Sequence, residues 1–165
     1  MSSHVKYIDK TREYYLAEGY NDPYNWAHFD DVPFTPLKKP LSKCCITIVS
    51  TSDVELKAKK NESEKEESLL VGNVYEIASS FKASDLFTPT DHHDRYATNL
   101  DDVDSFFPIT RLHEAVAEGR VGSIAPFLYG VYTAYSQRKT SEIDAPEILK
   151  RCRENEVDAA VLTPV

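Results

Sequence analysis

The feature that most constrains the fold is a short apolar and β-branched run, KCCITIVST, which predicts a strand over residues 43–50. Its side chains are apolar at both alternating sets of positions, so both faces of the strand need cover. A strand of this kind belongs in the middle of a sheet that helices cover on both sides. The run therefore predicts an α/β fold.

Two further strands fit around this one. NVYEIASS predicts a strand over residues 73–80, and DAAVLT predicts a strand close to residue 165. Between the first two predicted strands, DVELKAKKNESEKEES is polar and charged throughout, which is typical of a solvated excursion or mobile loop. We expect a short, mostly parallel, Rossmann-like sheet with flanking helices.

Helix signals follow the second predicted strand. FPITRLHEAVAEGRVG predicts a helix that Thr110 caps and that ends at Gly119. The apolar spacing in residues 124–137 favours a second helix, with a packed loop and helix as the alternative. DAPEILKRCRENEV predicts a third, with Asp144 as N-cap and Glu147 completing a capping-box variant. Its inward-facing residues are expected to be Ile148, Leu149 and Cys152.

Composition divides the chain into two parts, an irregular aromatic N-terminal arm over residues 1–40 and an α/β domain over residues 41–165. The arm contains one short predicted helix, over residues 8–18, and repeated prolines forbid long regular structure after it. Its aromatic side chains suit packing against the chain's own core, which we favour over a subunit interface.

Charge and cysteine content exclude several classes of function. The net charge of -8 and the pI of about 5.1 disfavour binding to nucleic acid or to anionic membrane surfaces. No segment has the roughly 18 consecutive apolar residues of a membrane span, and the first residues do not form a signal peptide. Three cysteines form neither a disulfide framework nor a metal-finger spacing. We expect a reduced, cytoplasmic protein.

The polar stretch TDHHDR is the main candidate for a site. His92, His93 and Arg95 lie just after a predicted strand, where ligands of α/β proteins bind. Three interpretations stay open: a metal site, a substrate or anion contact through Arg95 and one histidine, and a solvated polar loop. The metal site is disfavoured, because the side chains of adjacent residues point in different directions. His113, farther along, is expected only to satisfy a helix end.

Several spaced motifs resemble the glycine/sarcosine/betaine and D-proline reductase family, and more narrowly its selenoprotein B type of subunit. The resemblance covers roughly residues 30–165 and is strongest from residue 91 onward. The elements that carry it are an H-x-x-R-like pair at His92 and Arg95, the helix start FPITRL at residues 107–112, the turn GRVGSIA at residues 119–125, and a helix APEI that leads to the strand end LTP at residues 162–164.

The resemblance implies a redox residue, selenocysteine or cysteine, immediately after the LTP strand end. Here that position follows Val165, so no catalytic residue is present and the chain alone is expected to be inactive. Because UGA encodes selenocysteine and is otherwise a stop codon, reading it without recoding would end the chain at this residue. A deliberately trimmed or naturally short chain would end in the same way.

The family's reaction is the reductive cleavage of a C–N bond with electrons from a dithiol, and no cofactor is expected beyond the selenocysteine or cysteine. The implied partners are other reductase-complex subunits, a small amino-acid or methylated-amine substrate, and a second copy of the chain in a homo-oligomer. His92, His93 and Arg95 are the candidates for holding a carboxylate or stabilising the anionic nucleophile. The alternatives are a non-catalytic binding or assembly subunit, and an incompletely folded fragment with an association-prone edge strand.

Overall fold

The computed structural model describes residues 7–22, 30–59, 74–89, 100–132 and 136–164. The chain divides into two units, Met1–Phe34 and Thr35–Val165. The first contains helix α1, Tyr7–Ala17, in agreement with the helix predicted over residues 8–18, and α1 buries none of its residues. The division of the sequence at residue 40 stays a prediction.

The second unit is built on a mixed, mostly parallel sheet, which confirms the predicted α/β class. Strand β1, at its centre, pairs in parallel with β7 along one side and with β5 and then β6 along the other. Strand β3 pairs antiparallel with β6, and a separate antiparallel ribbon joins β2 to β4. The strands are β1 (Cys45–Ser50), β2 (Glu55–Leu56), β3 (Val74–Ala78), β4 (Leu86–Phe87), β5 (Ser123–Ile124), β6 (Phe127–Val131) and β7 (Ala159–Thr163).

Within the described residues of the second unit, two helices flank the sheet. Helix α2 is Ile109–Ala117, and helix α3 is Ala145–Glu154. A turn of α-helix, Gln137–Lys139, and a π-helical turn, Thr140–Asp144, run directly into α3. Short 3-10 turns are Leu41–Lys43, Lys57–Lys59, Ala83–Asp85 and Val103–Ser105.

The core lies on the face of the sheet that α2 covers. Ile46 and Ile48 of β1 meet the buried apolar side of α2, represented by Ile109 and Leu112. The fully buried ring of Phe107 belongs to the same cluster. Removing this apolar surface from water is the main favourable contribution to folding, at about 25 cal/mol for each Å². The prediction that β1 is buried on both faces is confirmed, since four of its six residues are buried.

Helix α3 covers the opposite face through polar contacts. Arg151 donates from Nε to Glu147 at 2.7 Å and from Nη1 to Glu76 of β3 at 3.1 Å. Asn155 donates to the hydroxyl of Tyr129 in β6 at 3.2 Å. Burial of that hydroxyl raises the pKa of Tyr129 to about 12. The sequence predicts that Leu149 faces inward, but its side chain is 49% exposed.

We expect Glu147→Gln to lower the melting temperature at pH 7 and to lower it less at pH 3. The hydrogen bond from Arg151 lowers the pKa of Glu147 below its ordinary value. The stabilisation is therefore complete above the pKa of the unfolded state and is lost as the pH falls through the folded-state pKa. Thermal unfolding of both proteins at the two pH values measures this, and an equal difference at both would contradict it.

The helix predicted in residues 124–137 is wrong. This segment forms β5 and β6, and β6 lies between β1 and β3 with Leu128, Tyr129 and Gly130 all buried. A strand covered on both faces shows no alternation, so its apolar spacing resembles that of a helix. Residues 133–135 lie outside the described ranges.

Both predicted helix caps also need correction. Thr110 is the second residue of α2, and its N–H donates instead to the carboxylate of Asp104 at 2.8 Å. Asp144 lies inside a continuous helical segment, with helical backbone angles and no capping hydrogen bond from its side chain. The glycine end of α2 is confirmed, because Gly119 has a φ of 70°.

The polar segment predicted as a solvated excursion begins with ordered structure. Val54 is 1% exposed, and β2 follows it immediately. Pairing with β4 explains why Leu56 packs against the core cluster. Residues 60–73 lie outside the described ranges, so the rest of that prediction is untested.

Candidate functional site

The carboxyl ends of the parallel strands meet at one edge of the sheet. Ser50, the last residue of β1, is in register with Gly130 of β6 and with Thr163 of β7. The N–H of Thr51 donates to the carbonyl of Thr163 at 3.2 Å, which ties the loop after β1 to the end of β7. Open α/β sheets bind ligands at this edge. The strand end LTP, whose motif carries the family resemblance, therefore lies beside the loop that follows β1.

Two buried hydroxyl groups occupy this edge, those of Ser50 and Ser52. Their oxygens are 2.7 Å apart, and Ser50 Oγ is 2.8 Å from the carbonyl of Phe106. Because a serine has one proton to donate, we assign the Ser50 proton to Phe106 and the Ser52 proton to Ser50 Oγ. Ser50 Oγ also accepts the N–H of Ser52 at 3.2 Å. The protons of both hydroxyls are thus engaged in hydrogen bonds that fix the loop.

Tyr75 of β3 holds the same loop from the other side of β6. Its hydroxyl donates to the carbonyl of Ser52 and accepts the N–H of Val54 at 3.0 Å. Burial raises the pKa of Tyr75 well above its ordinary value. The ring passes over Gly130, where any Cβ would overlap it. The ring of Tyr132 lies beside it, with the two centroids 4.7 Å apart.

Carboxylates contribute to the electrostatics of this edge. Asp53 and Glu55 lie just after Ser52 in the sequence. Burial is the main cause that raises the pKa of Tyr132, and the negative charges of these two carboxylates raise it further. An anionic substrate or nucleophile at this edge would therefore need cations from elsewhere to offset their charge.

The predicted substrate-binding residues, His92, His93 and Arg95, lie outside the described residues, between Pro89 and Leu100. Their role stays a prediction. His113 is described: its Nε2 lies 2.8 Å from the carbonyl of Ser79 in the turn after β3. It therefore satisfies a backbone carbonyl, although not the helix end that the sequence suggested.

The three cysteines, Cys44, Cys45 and Cys152, are free thiols. Cys44 is buried and donates its S–H to backbone carbonyls of Lys39 and Pro40. Burial raises the pKa of the Cys152 thiol, as expected for a residue that packs and does not react. Among the described residues no three His, Cys, Asp or Glu side chains gather into a metal site. In the same ranges no helix has the length and apolar character to cross a bilayer.

Sequence reasoning missed the hydroxyl cluster of Ser50, Ser52 and Tyr75. The available signal was VSTS, where polar residues follow an apolar strand at once. The sequence did not indicate that Tyr75 joins the two serines. Tyr75 lies 23 residues from Ser52 and contacts it only because β3 pairs with β6.

Curated relatives are reductase subunits. D-proline reductase subunit gamma from Acetoanaerobium sticklandii is 28% identical over 133 residues, which cover 79% of this chain and 52% of that protein. Glycine reductase complex component B subunit gamma from Symbiobacterium thermophilum is 26% identical over 148 residues, which cover 89% of this chain and 34% of that protein. The chain thus spans about half of the first relative and about a third of the second.

No family model and no solved structure matches the chain. The two relatives support the resemblance to the glycine and D-proline reductase family, and neither description specifies the selenoprotein B type. The chain is similar to subunits of multi-protein reductases.

Proposed function

We propose that this chain is a selenoprotein B-like subunit, or part of one, of a reductase that cleaves a C–N bond in glycine, a methylated glycine or proline. The similarity to the gamma subunits of two such reductases carries the proposal. The carboxyl edge of the sheet supports the proposal, because Thr163 ends β7 beside the loop that begins at Thr51.

In this proposal the chain supplies the scaffold, and the redox selenocysteine or cysteine follows Val165. A selenolate or thiolate there would lie at the carboxyl edge, where the Thr51 N–H donates to the Thr163 carbonyl and holds the end of β7. A dithiol supplies the two electrons of the cleavage. Arg95, with His92 or His93, would bind the substrate carboxylate or stabilise the anionic nucleophile, since guanidinium matches a carboxylate with two parallel hydrogen bonds.

The proposed partners are the remaining subunits of the reductase complex, a small amino-acid or methylated-amine substrate, and a second copy of the chain. The proposed location is the cytoplasm. The greater length of both relatives supports a division of the active centre between this chain and further polypeptide. If the redox residue lies on that further polypeptide, we expect the chain alone to be inactive.

A turnover assay tests the proposal. The 165-residue chain is incubated with dithiothreitol and, separately, with glycine, sarcosine, betaine and D-proline, first alone and then with the other subunits of such a reductase. We expect no product from the chain alone. We expect product only from the full assembly, in which the subunit contains the redox residue. Turnover by the isolated chain would contradict the proposal.

The role of Arg95 is tested in the full assembly with a matched pair of variants. Arg95→Lys retains the positive charge but loses the planar fork, whereas Arg95→Ala loses both. If Arg95 binds the carboxylate, KM rises about tenfold or more for Ala and less for Lys. An unchanged KM for both variants removes this role. If the assembly is active and neither substitution changes its KM, the proposed reaction class is retained and only the assignment of Arg95 is refuted.

A further inference from the structure

A second feature lies at the opposite, amino edge of the sheet. A concavity of about 640 Å³ opens where β1, β5 and β7 begin. Cys45 starts β1 and Ser123 starts β5, while Asp158 directly precedes β7. The volume lies within the range of about 300–1,000 Å³ that small-molecule sites occupy. The proposed reductase function makes no use of this concavity.

The lining carries positive charge in a chain whose net charge is -8. Three cations, Lys39, Lys43 and Arg153, line it together with two carboxylates, those of Glu156 and Asp158. Within the described ranges no ion pair engages Lys43 or Arg153. Their charges are therefore directed to the concavity or to solvent.

The carboxylate of Asp158 already contacts Lys39 and the backbone of Cys45. One oxygen accepts from Lys39 Nζ at 2.8 Å and from the N–H of Cys45 at 2.7 Å. These contacts lower the pKa of Asp158, so it remains ionised beside Lys39. The Lys39–Asp158 pair cancels within itself, which leaves Lys43 and Arg153 against Glu156.

The frame of the concavity is fixed by backbone contacts. A Cβ at Gly122 would lie 2.6 Å from the carbonyl carbon of Lys43, so the two segments approach as closely as glycine permits. The N–H of Ser123 donates to the backbone carbonyl of Cys44 at 3.0 Å, and the N–H of Asp158 donates to the backbone carbonyl of Cys45 at 2.9 Å. Glu156 has a φ of 52°, a left-handed position that usually holds glycine at the end of a helix.

We propose that this amino-edge concavity binds a small anion, a phosphate or carboxylate group, between Lys43 and Arg153. Arginine recognises both groups through two parallel hydrogen bonds, and lysine adds a point charge. The Ser123 hydroxyl, which is exposed, supplies a further donor at the same rim.

Cys45 gives the site a built-in reporter, because its half-buried thiol lines the concavity. The test compares alkylation of Cys45 by iodoacetate, an anion, and by iodoacetamide, a neutral reagent of similar size, with peptide mass spectrometry as the readout. The ratio of the two rates cancels the general reactivity of the thiol. We expect the ratio of the iodoacetate rate to the iodoacetamide rate to be about three- to five-fold higher for Cys45 than for a small free thiol.

Matched variants and ligands complete the experiment. Lys43→Gln combined with Arg153→Gln should return the ratio to that of the free thiol, and Lys150→Gln, an exposed cation of α3 outside the lining, should leave it unchanged. Phosphate and succinate, compared with chloride at equal ionic strength, should slow alkylation of Cys45. Protection by phosphate alone or by succinate alone identifies the bound group as a phosphate or a carboxylate. Protection by both supports a site that accepts either anion. A ratio equal to that of the free thiol, or no protection beyond chloride, would overturn the proposal.

Discussion

Gly130→Ala is expected to destabilise the protein by about 3 kcal/mol or more, enough to unfold a marginal domain. A Cβ at this position would overlap the ring of Tyr75, which crosses β6 at its register partner Gly130. The ring cannot move aside freely, because its hydroxyl is bound to Ser52 and Val54. Urea unfolding followed by circular dichroism measures the effect.

Gly119→Ala provides the matched control for this prediction. Gly119 has a left-handed φ of 70°, and a Cβ there meets no atom within 4 Å. Its cost should therefore be limited to backbone strain, about 1 kcal/mol. Replacing Tyr75 with leucine in the Gly130→Ala background should recover part of the lost stability. Equal costs at the two glycines would contradict the close packing of Tyr75 over β6.

Tyr75→Phe is expected to cost about 2–4 kcal/mol. The substitution keeps the ring but removes the hydroxyl, leaving the carbonyl of Ser52 and the N–H of Val54 buried without that partner. Tyr132→Phe is the matched control, because the ring of Tyr132 packs beside that of Tyr75 and is only half-buried. We expect its cost to be below about 1 kcal/mol. A Tyr75→Phe protein as stable as Tyr132→Phe would show that the hydroxyl does not hold the loop.

The same residue predicts a loss of stability in alkali. The pKa of Tyr75 is higher in the folded state than in the unfolded state. The stabilisation from its neutral hydroxyl is therefore complete below the unfolded-state pKa of about 10, and it is lost as the pH rises above that value. The wild-type protein should therefore lose more stability between pH 9 and pH 11 than Tyr75→Phe does. Chemical unfolding at both pH values measures the difference, and parallel losses would contradict it.

The parts of the fold that could be predicted are those with a local signal. The two apolar faces of β1 implied a central strand, and Gly119 implied the end of α2. Strand β6 could not be recognised, because a strand covered on both faces lacks alternation and its apolar spacing matched a helix. Asp144 carries the chemistry of a cap, but the helical segment already begins at Gln137. A local motif does not reveal that the backbone before it is also helical.

The site divides in the same way. The edge of the sheet followed from the general rule for α/β proteins and from the LTP strand end at Thr163. The interlocked hydroxyls of Ser50, Ser52 and Tyr75 depend on strand pairing between distant segments, which single-sequence patterns do not encode. The basic concavity at the amino edge also joins distant segments, since Lys43 and Arg153 approach only after β1 and β7 pair.

The nucleotide sequence directly after codon 165 tests most directly whether a redox residue belongs at the end of β7. An in-frame UGA or cysteine codon, followed by sequence similar to the reductase gamma subunits, is the predicted result. A different codon followed by unrelated sequence would contradict the assignment of this chain to a reductase active centre.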